Sequence, residues 1–199
     1  MSEYIIMTDS CCDLSDEMAK ELELNVVPLT VHLEGKEFYG AIRAGKVATT
    51  SAANVGQFQD AMRAVLDTGK DIVCVCFSSA LSTTYQSATI AADDLRADYP
   101  EREIYVVDSL SASLGQGLLL YLTVQQKRAG LSAKELADWV VSNRLSVDHW
   151  FTVDDLNYLR RGGRVSATSA LLGTMLSIKP VMHTSDEGKL VPVGKVRGR

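Results

Sequence analysis

The chain has 199 residues, 46% of them hydrophobic, with a formal net charge of −5, enough for one or two domains with a real core. The acid excess argues against nucleic acid as the main partner, since basic residues cluster only in Arg160–Arg164 and Lys195–Arg199. No apolar run approaches the roughly 20 residues that span a bilayer, and the N-terminus lacks a basic segment ahead of an apolar one, so neither a membrane span nor a signal peptide is expected.

Tyr4–Ser10 (YIIMTDS) reads as a strand ending at Asp9-Ser10. Asp13 is placed to cap a helix carrying Leu14, Met18 and Leu22 at four-residue spacing. Asn25–Gly35 is extended, with Pro28 marking an edge or an irregularity. Val55, Phe58, Met62, Val65 and Leu66 form a helical stripe. Asp71–Ser79 is a continuous apolar strand, as expected for one buried on both faces of a parallel sheet. Ser82 stands where it can cap a helix carrying Tyr85, Ala88, Ala92 and Leu95. Glu103–Ser109 is a further strand, followed by a helix with Leu114, Leu118 and Leu122. Ser132 and Glu135 form a capping box for a helix with Leu136, Trp139 and Val140. His149–Val153 reads as the last strand of the series. Alternating strands and helices signal an α/β fold with a mostly parallel sheet and flanking helices.

After Asp155 the pattern changes. A short helix (LNYL) leads into Arg160-Arg161-Gly162-Gly163-Arg164, then an apolar helix (Ser169–Leu176) and a hairpin turning at Ser185–Lys189. This predicts two domains: residues 1–155, and residues 156–199 as the start of a second, incomplete α/β domain.

Cys74 and Cys76 should face one side of their strand, and with Cys11 and Cys12 they read as reduced, small apolar residues. No metal-ligand spacing is present, and His32, His149 and His183 stand apart from one another. Ligands of open parallel sheets bind beyond the carboxyl ends of the strands. Three such loops are rich in hydroxyls: Thr8-Asp9-Ser10, Ser78-Ser79 with Ser82-Thr83-Thr84, and Asp108-Ser109 with Ser111. A fourth cluster, Thr49-Thr50-Ser51, precedes a helix. Hydroxyls with free helix N–H groups suit a carboxylate or phosphate. Helix capping favours the same residues and is the simpler reading of any one cluster. Likewise the Gly162-Gly163 pair reads as an anion-ready loop or as a plain helix C-cap. Gly115-Gln116-Gly117 is a lone G-x-G best explained by helix packing. Asp9 and Asp108 are each a candidate base or a loop-fixing acid.

Taken in order, TDS, VVPLTV, TS, SSALSTTYQSA, VDS, DLNYLRRGGRVS, IKPV and KVRGR resemble the DegV family of bacterial fatty-acid-binding proteins over nearly the whole chain. The resemblance implies two α/β domains with a fatty acid buried between them. The first is similar to parts of the mannose phosphotransferase and dihydroxyacetone kinase families. It also implies a carrier without cofactor or metal that presents a long-chain acyl carboxylate to a separate fatty acid kinase, in the cytoplasm, with transient membrane contact at most. On this chain the carboxylate would meet Thr50, Ser51, Ser78 and Ser79. Arg164, with Gly163 and Arg161, would lie near the head group or face the kinase, and Leu171, Leu172 and Met175 would line the tail. The chain departs from the family pattern at Thr83, where glycine is usual, at Ala52-Ala53, and at Gly40-Ala41. Family members also continue beyond KVRGR, which implies a truncated or naturally short chain here. A competing expectation is a lipid hydrolase or acyltransferase using Ser10, Thr50, Ser78 or Ser79. A phosphate-ester or sugar binder is the third.

Overall fold

A computed structural model of the chain describes residues 3–32, 49–153, 156–165 and 178–197. Four parallel strands form the main sheet: β1 (Tyr4–Asp9), β2 (Asn25–Val27), β5 (Asp71–Cys76) and β6 (Ile104–Asp108), in the order β2-β1-β5-β6. Between them in sequence, β3 (Thr30–His32) and β4 (Thr49–Ser51) pair antiparallel in a separate small sheet. Pro28 lies where β2 stops and the chain leaves the parallel sheet, as the missing N–H predicts.

All six residues of β5 are buried. Ile72, Cys74 and Cys76 face a core shared with Met7, Phe58, Met62 and Leu95. That core is covered by α2 (Val55–Leu66) and α3 (Thr84–Asp98). Val73 and Val75 face the opposite core with Ile6, Leu119, Leu120, Leu136 and Val140, covered by α4 (Ser113–Arg128) and α5 (Ala133–Asn143). The period-two alternation of β5 thus feeds two apolar layers. Cys74 and Cys76 share a face with sulfurs 3.5 Å apart, as read from sequence. The Ser132–Glu135 capping box is present, and a second one joins Asn54 and Gln57 at the start of α2.

Four expectations are corrected. The short helix α1 (Asp16–Glu21) is capped by Ser15, while Asp13 adopts a left-handed conformation (φ 52°) after a 3-10 turn. Ser82 is not the N-cap residue of α3; that is Thr83, although the Ser82 hydroxyl accepts the Thr84 N–H at 3.3 Å. On α4, Leu114 and Leu118 are exposed, and the buried face is Gly115, Gln116, Gly117, Leu119, Leu120, Thr123 and Val124. Here the glycines choose the face. A Cβ on Gly117 would stand 2.8 Å from the Cys12 carbonyl, and one on Gly115 would lie 2.2 Å from His149 Nδ1. Finally, β7 (Trp150–Phe151) does not extend the parallel series. It pairs antiparallel with β8 (Ile178–Thr184), which pairs with β9 (Leu190–Arg197), so the second sheet draws on residues before 155. α6 (Leu156–Arg161) and this sheet share their own core of Leu156, Val165 and Met182.

The connections from β1 and β5 run to opposite sides of the sheet, so their carboxyl ends form the crevice of a topological switch point. The fully buried Asp9 closes its floor. One carboxylate oxygen accepts the Cys11 N–H at 3.0 Å and the other the Phe77 N–H at 2.7 Å. Gln116 Nε2 donates to Thr8 Oγ1 at 3.0 Å and sits 3.5 Å from Asp9.

Burial raises the Asp9 pKa above the ordinary carboxylate value, against the opposing pull of these hydrogen bonds. The folded state therefore holds the Asp9 proton more tightly than the unfolded chain, and this group's contribution to stability falls as pH rises through that window. Asp9→Ala should cost about 2–4 kcal/mol by stranding two N–H groups, and Asp9→Asn should lose the pH slope; urea titrations across pH 4–7 check both. Gly115→Ala should destabilise the wild type by about 1–3 kcal/mol through overpacking on His149. In a His149→Ala background the same change should be neutral or stabilising by up to about 1 kcal/mol from helix propensity. Thermal melts of the four chains decide this sign reversal.

Candidate functional site

The loop from Phe77 to Ser82 forms one lip of the crevice, and its backbone is fully engaged. Phe77 N–H goes to Asp9, Ser78 N–H to the Ser111 carbonyl, and Ser79 N–H to Asp108 Oδ1. Ala80 N–H goes to Ser78 Oγ, and those of Leu81 and Ser82 to the Ser78 carbonyl. These six N–H groups are therefore not available to an anion, whereas the helix N–H groups of the expectation belong to the first turn of α3, which begins at Thr84. Within the loop itself, what remains for a ligand is side-chain hydroxyls.

Ser79 is exposed and lines a cavity of about 300 Å³ with Ser82, Thr83, Tyr85, Gln86 and Thr89. Ser78 is different: it is fully buried, and its hydroxyl donates to the Gly188 carbonyl at 2.8 Å. The two neighbouring serines thus have separate surroundings. Thr50 and Ser51 are exposed on β4, paired opposite Val31 and Thr30, in a sheet distinct from β5.

The neighbouring loop, at the end of β6, is wound by side chains. Asp108 Oδ1 accepts the Leu110 N–H at 3.0 Å, and Ser109 Oγ accepts the Ser111 N–H at 3.1 Å. Leu110 (φ 51°) and Ser113 (φ 52°) take left-handed conformations. Asp9 and Asp108 both act as acceptors of loop N–H groups, the structural reading of each. Ser10 Oγ accepts the Leu29 N–H at 3.0 Å.

The arginine–glycine segment reaches the same place. Gly163 (φ 74°) donates its N–H to Arg160, and Arg164 donates its backbone N–H to Leu159, which caps α6 in a Schellman motif. The plain C-cap reading therefore holds for the glycine. The Arg164 side chain then crosses to the hydroxyl loop: Nε donates to the Leu81 carbonyl at 3.1 Å, and its guanidinium also contacts the Gly162 carbonyl. Arg161 is exposed on the last turn of α6. Leu171, Leu172 and Met175 lie outside the described residues.

His149 offers an imidazole beside a hydroxyl, with Nε2 2.8 Å from Thr184 Oγ1. Its Nδ1 is buried without a partner among the described residues, and burial depresses its pKa. A hydrolase would need an acceptor on that nitrogen to orient the ring. Among the described residues no group of His, Cys, Asp or Glu is arranged to hold a metal ion, and no helix is long and apolar enough to cross a membrane. Sequence reading missed Gln116 and the reach of Gly188. A glutamine between two helix-packing glycines was the available signal for the first. The second contact spans 110 residues and left none.

The DegV family model, described as "Uncharacterised protein, DegV family", matches residues 4–199. A DegV domain-containing protein of Clostridium perfringens is 39% identical over 212 residues, covering 100% of this chain and 73% of that protein. Among solved structures, a fatty-acid-binding DegV family protein from Thermus thermophilus matches with a TM-score of 0.84 at 30% identity, covering 100% of this chain and 72% of that one. A stearic-acid-binding protein from Eubacterium ventriosum matches with a TM-score of 0.85 at 28% identity, covering 98% of this chain and 71% of that one. A parallel sheet whose switch point is lined by serines, an arginine loop anchored to that lip, and a family match from residue 4 to residue 199 agree: the chain belongs to the DegV family.

Proposed function

We propose that the protein binds a long-chain fatty acid and presents its carboxylate to a separate fatty acid kinase in the cytoplasm, performing no chemistry itself. The observation that carries this reading is the Phe77–Ser82 loop. Its six N–H groups are internally spent, one exposed hydroxyl, Ser79, faces a cavity, and Arg164 is anchored to it at Leu81. In this reading Ser79, Thr50 and Ser51 donate to the carboxylate. Buried Ser78 serves by holding the loop. Leu171, Leu172 and Met175 line the acyl tail, and the Arg161–Arg164 segment flanks the head group or faces the kinase.

The energetics favour such a ligand. Hydrogen bonds to a carboxylate contribute roughly 1.5–3 kcal/mol each, and each buried methylene adds about 0.8 kcal/mol. The fatty-acid-binding relatives of known structure support the same ligand class.

Native mass spectrometry of the purified protein should show a fatty acid at about one-to-one stoichiometry, released on denaturation. Thr50→Val combined with Ser79→Ala should weaken binding about 100-fold, equivalent to losing two charge-assisted hydrogen bonds, with circular dichroism unchanged. Full affinity in that variant would remove these hydroxyls from the site. Arg164→Ala should slow acyl-phosphate formation when the loaded protein is mixed with a cognate kinase and ATP. An undiminished rate would assign Arg164 to the loop anchor alone.

A further inference from the structure

Ser78 organises its loop through every polar atom it has. Its N–H donates to Ser111, its carbonyl accepts from Leu81 and Ser82, and its hydroxyl accepts from Ala80 while donating to Gly188. The last of these bonds is the one that leaves the parallel-sheet half of the molecule. Gly188 belongs to the turn between β8 and β9, in the other sheet.

That turn is rigid on its own account. Gly188 N–H donates to the Ser185 carbonyl and Ser185 N–H to the Lys189 carbonyl, both at 2.8 Å. The Ser185 hydroxyl donates to the Glu187 carboxylate at 2.8 Å. The turn therefore delivers the Gly188 carbonyl as a fixed acceptor. It is wedged between the loops that follow β5 and β6: a Cβ on Gly188 would stand 2.2 Å from Ser78 Oγ and 3.1 Å from the Leu110 Cα. With φ at 75°, this position admits glycine on two separate grounds.

We propose that the β8–β9 turn is a strut for the carboxylate-facing loop: by taking the Ser78 hydroxyl, the Gly188 carbonyl fixes the Phe77–Ser82 segment in the shape that presents Ser79. Ser78 is then a positioning residue, and the antiparallel sheet sets the affinity of a site in which its turn takes no direct part. This rests on the acyl-carboxylate reading above. The physical basis is preorganisation: a loop already ordered loses less freedom when the ligand arrives.

The test measures two quantities on the full chain and its variants Gly188→Ala, Ser78→Ala, the double variant, and Ser79→Ala. One is affinity for oleate; the other is hydrogen exchange of the amides from Phe77 to Ser82. Gly188→Ala and Ser78→Ala should each weaken oleate binding about tenfold, as for one hydrogen bond, and each should speed loop exchange. The double variant should be little worse than Ser78→Ala, which has already lost the contact with Gly188 along with the Ala80 bond. Ser79→Ala should weaken binding with exchange unchanged, which separates touching the ligand from positioning the loop. If Gly188→Ala does not fold, Ser78→Ala, which adds no atom, carries the test. Wild-type affinity in Ser78→Ala, unchanged loop protection, or fully additive losses would each overturn the strut. A wild-type chain that binds no oleate would overturn the acyl reading instead, and loop exchange in Gly188→Ala and Ser78→Ala would then decide the strut alone.

Discussion

The carboxylate of Asp9 is the constraint on which the crevice depends. It is fully buried at the end of β1, yet it reaches across to the first residue beyond β5. Two parallel strands whose connections diverge leave a gap at their carboxyl ends. An ion bridging that gap with backbone donors on both sides fixes its width. Burying it costs desolvation energy, which the N–H groups of Cys11 and Phe77 and the amide of Gln116 offset. Once Phe77 is fixed, the following five amides find acceptors in turn, and the lip is defined down to which serine points outward.

In this lip the backbone donors are spent on the fold itself. Many α/β proteins hold anions with helix-terminal N–H groups. Here the lip keeps its own amides occupied and offers hydroxyls, with Arg164 tied alongside through Leu81. The same short segment that caps α6 through Gly163 sends Arg164 there. The glycine that caps α6 and the arginine that reaches Leu81 thus belong to one conformation of that run.

Strand and helix positions were largely legible in the sequence, because period and punctuation are local. β5 announced itself by five apolar positions in a row, Ile72–Cys76, α2 by its stripe, and α5 by its capping box. The errors share one cause, which is that partners are not local. The leucines of α4 suggested a buried stripe at Leu114 and Leu118, but close approach at Gly115 and Gly117 turned the helix about its axis. Trp150 and Phe151 looked like one more parallel strand because nothing nearby names their partner, 31 or more residues ahead. Of the site, the hydroxyl-bearing loops and the arginine segment could be read in advance. The division of labour between Ser78 and Ser79 could not, since it is decided by a glycine 110 residues away.

The antiparallel sheet brings its own small core, built on Leu156, Val165 and Met182, apart from the two layers of the parallel sheet. Two of its junctions with that sheet pass through glycines: His149 lies over Gly115, and Gly188 rests against Ser78. Both contacts are close and directional, so each constrains the orientation of one sheet against the other. Among the described residues, the chain therefore carries separate apolar cores joined through close glycine contacts rather than one continuous core.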